Sequence, residues 1–161
     1  MNLRILSFFL LISLILDQVF KTFVLYYLNL KNLIYLEVIP GFLNFILAWN
    51  KGINFGLLNN KNFNAKYFLI IVTITICAVL FFWVRKKKKK LLFIFCGLVI
   101  GGALGNCFDR LIYGAVVDYL NVTCCGINNP FSFNLADTFI FLGVLGLIIF
   151  SDSKKKSDIN Y

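Results

Sequence analysis

The chain alternates between four apolar stretches and intervening segments that contain most of its polar residues. The apolar stretches are residues 5–27, 67–84, 91–108 and 135–150. Each approaches the ~20 apolar residues that a helix needs in order to cross about 30 Å of hydrocarbon. The pattern therefore predicts an all-α integral membrane protein with four transmembrane helices, folded as a single domain over residues 1–161.

The first apolar stretch also resembles a secretory signal peptide, because it follows Arg4 and has an apolar centre. It lacks a small-residue cleavage site, however, and it continues into Asp17, Gln18 and Lys21. We therefore expect this segment to be retained as the first membrane span.

The pattern changes in the segment between the first two spans, residues 28–66. Residues 33–39 and 42–49 are apolar and rich in β-forming side chains, and Pro40-Gly41 between them predicts a turn. This segment is expected to form a small extracytoplasmic β-sheet, a cradle on the membrane surface. The asparagines and glycines of residues 50–56 predict a tight, shaped loop after it.

Composition and charge agree with a membrane location and add an orientation. Hydrophobic residues make up 60% of the chain, against about 45–50% in soluble domains. The net charge is +9, and many basic residues lie at Arg4, in the run 85–90 and at 154–156. By the positive-inside rule both termini and the 85–90 connection are cytoplasmic, so segments 28–66 and 109–134 lie outside. Basic residues next to spans indicate contact with membrane lipid and not with nucleic acid.

The absence of histidine limits the chemistry that the chain can perform. Ser-His-Asp and Cys-His catalysis and the common zinc protease motif all need an imidazole. The five cysteines have no metal-binding spacing, and we predict neither a metal nor a cofactor. Any hydrolytic activity must then depend on Asp, Lys, Cys, Tyr or Glu37.

The polar residues of the spans are expected to meet at one membrane face. A helix rises 1.5 Å per residue, which places Asp17 in the outer part of span one. The end of span three and the start of span four lie on the same side. Glycines recur at every fourth position of span three, at Gly97, Gly101 and Gly105, and allow another helix to approach closely. The polar residues expected to gather there are Asp17, Asn50, Gly52, Asn106, Asp109, Arg110, Asn134 and Asp137.

Asp118 and Asp137 form a candidate catalytic pair beside this face. Two carboxyl groups held close together share a proton, because both cannot ionise easily. The ionised member can deprotonate water while the protonated member donates to a carbonyl oxygen. Two structural alternatives remain open: each aspartate can cap a helix or bind a cation, and Asp137 suits the first turn of span four. Asp17 and Lys21 can likewise form an i,i+4 salt bridge.

Several motifs resemble those of the lipoprotein signal peptidase (signal peptidase II) family. They are Asp17-Gln18-x-x-Lys21, Asn50-x-Gly52, Gly101-Gly102-Ala103-x-Gly105-Asn106-x-x-Asp109-Arg110, Gly114-x-Val116-Val117-Asp118 and Phe133-Asn134-x-Ala136-Asp137. The resemblance extends from Asp17 to the end of span four. It implies an aspartyl endopeptidase of the bacterial cytoplasmic membrane that cuts diacylglyceryl-modified prolipoproteins before the lipid-bearing cysteine.

The same resemblance implies roles for individual residues. Asp118 and Asp137 would be the catalytic dyad, at the outer membrane face of a protein that we expect to be monomeric. Asn54 departs from the family pattern, which usually has a small residue there. The residues that would bind or orient the substrate are Asp17, Lys21, Asn50, Gly52, Asn106, Arg110, Asn134 and Ala136.

Two other functions compete with the peptidase on the sequence alone. A small transporter or proton-coupled channel would use Asp17, Asp118 and Asp137 as relay or ion-binding groups. Such a path needs polar residues on both membrane sides, and the inner halves of these spans are almost purely apolar. A noncatalytic membrane subunit would use the glycine faces for packing, but it would not need the clustered asparagines and aspartates.

Overall fold

A computed structural model of the chain describes residues 2–52, 65–123 and 129–151. Within these residues the fold combines long apolar helices with a small antiparallel sheet. The elements are α1 (Asn2–Thr22), a π-helical turn (Phe23–Tyr27), α2 (Leu30–Leu33), β1 (Tyr35–Ile39), β2 (Leu43–Asn50), α3 (Ala65–Arg85), α4 (Lys90–Tyr113), β3 (Val116–Val122) and α5 (Leu135–Ser151).

In the described part of the chain, three helices are long and apolar enough to cross a membrane. They are α1 with its π-helical turn, α3 and α4. α5 is apolar but has 17 residues, fewer than a typical span requires. The first three predicted spans are therefore confirmed as membrane-length helices, and the fourth stays a prediction.

The helix of span three is longer than its predicted apolar stretch, because α4 continues beyond residue 108 to Tyr113. Gly114 then stops the helix in the left-handed region, at φ 80°, and its N–H donates to the Arg110 carbonyl at 3.1 Å. Glycine adopts this conformation without steric cost. Asp109 and Arg110 are therefore held on a helix surface and not in a loop.

α4 is the central helix of the bundle, with α1 on one side and α5 on another. A Cβ atom at Gly101 would lie 2.4 Å from the Leu10 carbonyl oxygen of α1, and one at Gly102 would lie 2.6 Å from the Ala136 oxygen of α5. No side chain fits at either contact, since real Cβ atoms do not approach so closely. The glycines of span three thus allow the close helix packing that the sequence predicts.

The sheet has the order β1-β2-β3, with both pairs antiparallel. The β1–β2 hairpin confirms the predicted sheet, whereas β3, in the second outer segment, was not predicted. β3 places Asp118 opposite Ala48 and Val116 opposite Asn50. Asn50 and Asp118 are consequently diagonal neighbours on one face of the sheet.

An apolar cluster anchors the sheet over the end of α1. The Tyr119 ring of β3 stacks on Phe20 of α1, with centroids 5.7 Å apart, and meets Phe45 of β2 edge-on at 5.8 Å. The remaining buried members of this cluster are Val24, Leu25, Leu30 and Val117. This packing fixes the height of β3, and hence of Asp118, above the helix ends.

Candidate active site

Asp118 lies almost buried on β3, with amide donors on both of its oxygens. Asn50 donates from Nδ2 to Oδ2 at 3.0 Å, and Asn134 donates from Nδ2 to Oδ1 at 2.7 Å. Asn134 reaches it because Phe133 pairs with Leu120 of β3 through backbone hydrogen bonds of 2.7 and 2.9 Å. The sheet and the start of α5 thus position this carboxyl group together.

Asp137 lies in the first turn of α5 and has a capping role as well as a place in the site. Its N–H donates to Asn134 Oδ1 at 2.9 Å, and its Oδ2 accepts the Asn134 N–H at 3.3 Å. These two contacts form a reciprocal helix cap. Its other oxygen, Oδ1, accepts Nδ2 of Asn106 at 2.8 Å. The capping alternative is therefore correct for Asp137, and it still leaves one oxygen turned toward the site.

Asn134 connects the two aspartates, which we call the amide-bound pair (Asp118 and Asp137). Its Nδ2 bonds Asp118 and its Oδ1 bonds the backbone of Asp137. The same Nδ2 also donates to Asn106 Oδ1 at 3.1 Å. Asn134 thus contacts both aspartates, and Asn106 contacts Asn134 and Asp137.

A buried ion cluster lies directly beneath this pair. Lys21 Nζ lies 2.8 Å from Asp17 Oδ2 and 2.6 Å from Asp109 Oδ2, and it donates to Asn106 Oδ1 at 3.1 Å. We call Lys21, Asp17 and Asp109 the Lys21 cluster. The predicted Asp17–Lys21 salt bridge is present, with Asp109 as a second partner. Three contacts use all three donors of the ammonium, as a buried charge requires.

The Lys21 cluster also joins four elements of the fold. Asp17 Oδ1 accepts the backbone N–H of Ala136 on α5 at 2.9 Å. Asp109 Oδ2 accepts the backbone N–H of Val117 on β3 at 3.1 Å. α1 and α4 provide the charged residues themselves. The cluster therefore fixes α5 and β3, the two elements that carry the amide-bound pair, relative to the bundle.

Asn106 transmits the orientation of the cluster to the candidate dyad. An ammonium can only donate hydrogen bonds, so the Asn106 atom that faces Lys21 must be the carbonyl oxygen Oδ1. Its Nδ2 must then face Asp137, as the 2.8 Å contact shows. Lys21 thereby fixes the orientation of the Asn106 amide, so that its Nδ2 and not its Oδ1 faces Asp137.

Burial raises the pKa of Asp118 from its usual value to about 6. The hydrogen bond from Asn50 opposes this increase, the negative charge of Asp137 adds to it, and the hydrogen bond from Asn134 opposes it. Asp118 thus takes up a proton at a higher pH than an exposed aspartate does. A carboxyl group that holds a proton near neutrality is suited to acid–base catalysis.

Gly52 and Arg110 complete one side of the site. Gly52 has φ 78°, and its N–H donates to Asn50 Oδ1 at 2.8 Å, which orients the amide that holds Asp118. A Cβ atom there would lie 2.5 Å from Leu69 Cδ1 and 3.4 Å from an Arg110 guanidinium nitrogen. Arg110 Nη1 donates to the Asn106 backbone oxygen at 3.3 Å. Arg110 thus lies close to Gly52 and donates within α4, and among the described residues its hydrogen bonds do not include either member of the amide-bound pair.

Most residues that the sequence singles out meet in this network. Asp109 was expected to help orient the site, but its contact with Lys21 was not predicted. Gln18 was seen in the motif but given no role. Its Nε2 donates to Asp17 at 3.1 Å and to Asp109 at 3.0 Å. Asn54, the one departure from the family pattern, lies outside the described residues, as does the Cys124-Cys125 pair.

Known proteins similar to this chain share one description. The profile of the family described as signal peptidase (SPase) II matches residues 9–152. A lipoprotein signal peptidase of Rhodopseudomonas palustris is 38% identical over 140 residues, which are 85% of each chain. A lipoprotein signal peptidase of Pelagibacter ubique is 34% identical over 154 residues, which are 93% of this chain and 90% of that protein.

Two solved structures are similar to this chain in fold. Both are described as bacterial membrane enzymes; they are 30% and 31% identical to this chain and superpose with TM-scores of 0.75 and 0.76. The superpositions cover 96% and 91% of this chain and 92% of each of the others. The described arrangement of helices and sheet is thus similar to that of these two membrane enzymes.

Proposed function

The chain belongs to the signal peptidase II family, and we propose that Asp118 and Asp137 are its catalytic dyad. The protein is a bacterial membrane protease that removes signal peptides from prolipoproteins. Membership in a protease family sets aside the transporter and the noncatalytic subunit. The observation that carries the proposal is Asn134. Its Nδ2 donates to the Asp118 carboxyl group and its backbone N–H donates to the Asp137 carboxyl group, so two carboxyl groups from different elements are held at one place.

In the proposed reaction the two carboxyl groups divide the work of a general base and a general acid. Asp137 accepts a proton from water, and the water oxygen attacks the carbonyl carbon of the scissile peptide bond. Asp118 donates its proton to the carbonyl oxygen. When the tetrahedral intermediate breaks its C–N bond, Asp137 passes its proton to the leaving nitrogen, and the hydroxyl proton returns to Asp118.

The environments of the two residues support this division. Asp118 is buried, and its pKa, raised to about 6, makes it easier to protonate than an exposed aspartate. A bound peptide would exclude more water and raise that pKa further. Asp137 lies in the first turn of α5, where the helix dipole favours a negative charge. Asp137 is also partly accessible, as the residue that contacts water must be.

We further propose that the asparagines of the site and the Lys21 cluster hold the catalytic carboxyl groups in position and take no part in the chemical steps. Asn50, Asn106 and Asn134 hold the carboxyl groups through hydrogen bonds of 2.7–3.0 Å. The three-stranded sheet over α1 would form the surface against which the substrate lies. Because the dyad is at the ends of the helices, a scissile bond that follows a membrane-embedded signal peptide would arrive beside it.

The proposed location is the bacterial cytoplasmic membrane, with both termini inside, the dyad at the outer face and α5 as the fourth span. The basic connection between α3 and α4 lies at the opposite end of the bundle from the dyad and supports this orientation. Reporter fusions at residues 40, 87 and 157 would test it. We expect an external signal at 40 and internal signals at the other two.

The activity can be tested with purified protein in detergent. We expect cleavage of a diacylglyceryl-modified precursor immediately before the modified cysteine, with mass spectrometry to locate the new terminus. The matched control is the same precursor without the lipid, which we expect to remain intact. Cleavage at another bond, or equal cleavage of both precursors, would contradict the proposed specificity.

A further inference from the structure

The end of the bundle opposite the dyad contains an apolar groove between α3 and α5. Both helices pack against α4, and the space between them measures about 530 Å³. This volume is within the range of small-molecule binding sites, about 300–1,000 Å³. The residues that form its two walls are Val79, Leu80 and Trp83 of α3 and Val144, Leu147 and Ile148 of α5.

Each wall of the groove ends in a lysine. Lys87 Nζ lies 4.6 Å from the centroid of the Trp83 ring, which lines the α3 wall. Lys89 Nζ donates to the Phe150 carbonyl oxygen at 3.3 Å, in the last turn of α5. An ammonium has three donors, so Lys89 can bind a second acceptor while it keeps this contact. Two cationic groups therefore contact the two helices that form the groove, one at the lining residue Trp83 and one in the last turn of α5.

One of these lysines, Lys87, also lines a more polar cavity. This cavity, of about 410 Å³, is lined by Arg85 and Asn2 as well. Asn2 is fixed there, because its Nδ2 donates to the Lys88 carbonyl oxygen at 3.2 Å. Positive charge is thus concentrated on a shaped surface next to the apolar groove, and Arg85 adds a guanidinium suited to phosphate.

We propose that the groove between α3 and α5 binds an anionic phospholipid, with an acyl chain along the apolar walls and the phosphate at Lys87 and Lys89. An apolar slot that ends in cations is complementary to this kind of molecule, which combines a hydrocarbon chain with a negative headgroup. Basic pockets between transmembrane helices are known sites for such headgroups.

The same charges disfavour the other membrane-embedded occupant, the signal peptide of a substrate. A signal peptide has basic residues at its cytoplasmic end. In this groove those residues would meet Lys87 and Lys89, and like charges in close contact repel. The proposal is also independent of the dyad, which lies at the other end of the helices.

The headgroup part of the proposal can be tested by native mass spectrometry of the whole protein in detergent. With phosphatidylglycerol as the probe we expect one retained lipid, and with phosphatidylcholine little retention. Lys87→Gln with Lys89→Gln should weaken phosphatidylglycerol binding by roughly 10- to 30-fold, at about 1 kcal/mol for each lysine.

The matched control removes the same charge from the exposed neighbours, Lys86→Gln with Lys88→Gln, and should weaken binding less than about threefold. Equal losses in the two double variants would mean that the lipid responds only to the overall charge of the 85–90 run. That result would overturn the site.

The acyl-chain part needs a second pair of variants on α5. Ile148→Trp fills the groove and should abolish retention of phosphatidylglycerol. Ile149→Trp, at an equally exposed residue outside the groove lining, should leave it unchanged. Unchanged lipid retention in Ile148→Trp would contradict the proposal. A raised KM for the precursor in Ile148→Trp, together with normal lipid retention, would also contradict it. That combination would show that the groove holds the signal peptide of the substrate.

Discussion

Two carboxylate pairs lie side by side at one end of the bundle, and they differ in what binds them. In the Lys21 cluster, Asp17 and Asp109 share one ammonium at 2.8 and 2.6 Å and also accept backbone N–H groups. The amide-bound pair, Asp118 and Asp137, is held by neutral asparagine side chains. An ammonium thus binds both carboxylates of the first pair, whereas uncharged side chains bind those of the second. The first pair is therefore suited to structure and the second to chemistry.

Asn106 is the point at which these two regions meet. Its Oδ1 accepts from Lys21, and its Nδ2 donates to Asp137. The Lys21 cluster, which stabilises the fold, thus also orients the amide-bound pair, which is proposed to react. Variants on the two sides should separate a loss of stability from a loss of activity.

The largest effect is expected from Asp137→Asn. This change removes the group proposed to accept the proton from water, so cleavage of a lipid-modified precursor should slow by at least about a thousand-fold. Single-turnover kinetics would measure it. Glu37→Gln, an exposed carboxylate of β1, is the control and should cleave normally. Comparable rates for Asp137→Asn and the control would exclude Asp137 as a base.

Lys21→Met should have the largest effect on stability. It leaves Asp17 and Asp109 buried without a cation, and removal of one partner of a buried ion pair costs about 3–5 kcal/mol. Denaturant unfolding in detergent would measure the free energy of unfolding. Lys66→Met is the control, because Lys66 is only partly buried and, within the described residues, its ammonium donates one hydrogen bond, to the Leu111 oxygen. An equal effect in both variants would show that the Lys21 cluster does not hold the fold.

Asn106→Leu should reduce kcat by about 10- to 100-fold, as the loss of one hydrogen bond to a charged group implies. The substitution removes the Nδ2 donor to Asp137 and the acceptor of Lys21 together. Because the ammonium keeps two carboxylates, we expect a smaller loss of stability than in Lys21→Met. A rise in KM with unchanged kcat would instead indicate that Asn106 binds substrate directly.

The smallest expected effect is a shift of the pH profile in Asn50→Ala. Asn50 donates to the ionised form of Asp118 and lowers its pKa, so its removal should raise that pKa further. If Asp118 must be protonated, activity falls as pH rises through its pKa, and this limb should move to higher pH in the variant. The pH dependence of kcat/KM would measure it. A shift to lower pH would contradict the role of Asp118 as the acid.

The sequence predicted the helices well because long apolar stretches are a strong local signal. It also predicted the β1–β2 hairpin from the Pro40-Gly41 turn. It did not predict β3, which pairs with β2 across more than sixty residues and so has no turn of its own to mark it. Polar residues such as Asp109 marked the predicted end of span three, but they gave no sign that the helix itself continues to the Gly114 cap.

The residues of the site were recognisable, but their connections were not. The i,i+4 spacing indicated the Asp17–Lys21 pair, since both residues lie on one helix face. The third member, Asp109, and the contact of Lys21 with Asn106 depend on how α1 packs against α4. Spacing within one helix holds no information on that packing.

The most direct test of the contrast between the two pairs is to measure cleavage rate and unfolding free energy for Asp118→Asn and Asp17→Asn in the same preparations. For Asp118→Asn we predict a loss of activity of at least about a thousand-fold with a change in stability of about 1 kcal/mol or less. For Asp17→Asn we predict a stability loss of about 1–3 kcal/mol, with the folded protein cleaving within about tenfold of the normal rate. Near-normal cleavage by Asp118→Asn, or the reverse division of effects between the two variants, would contradict the account.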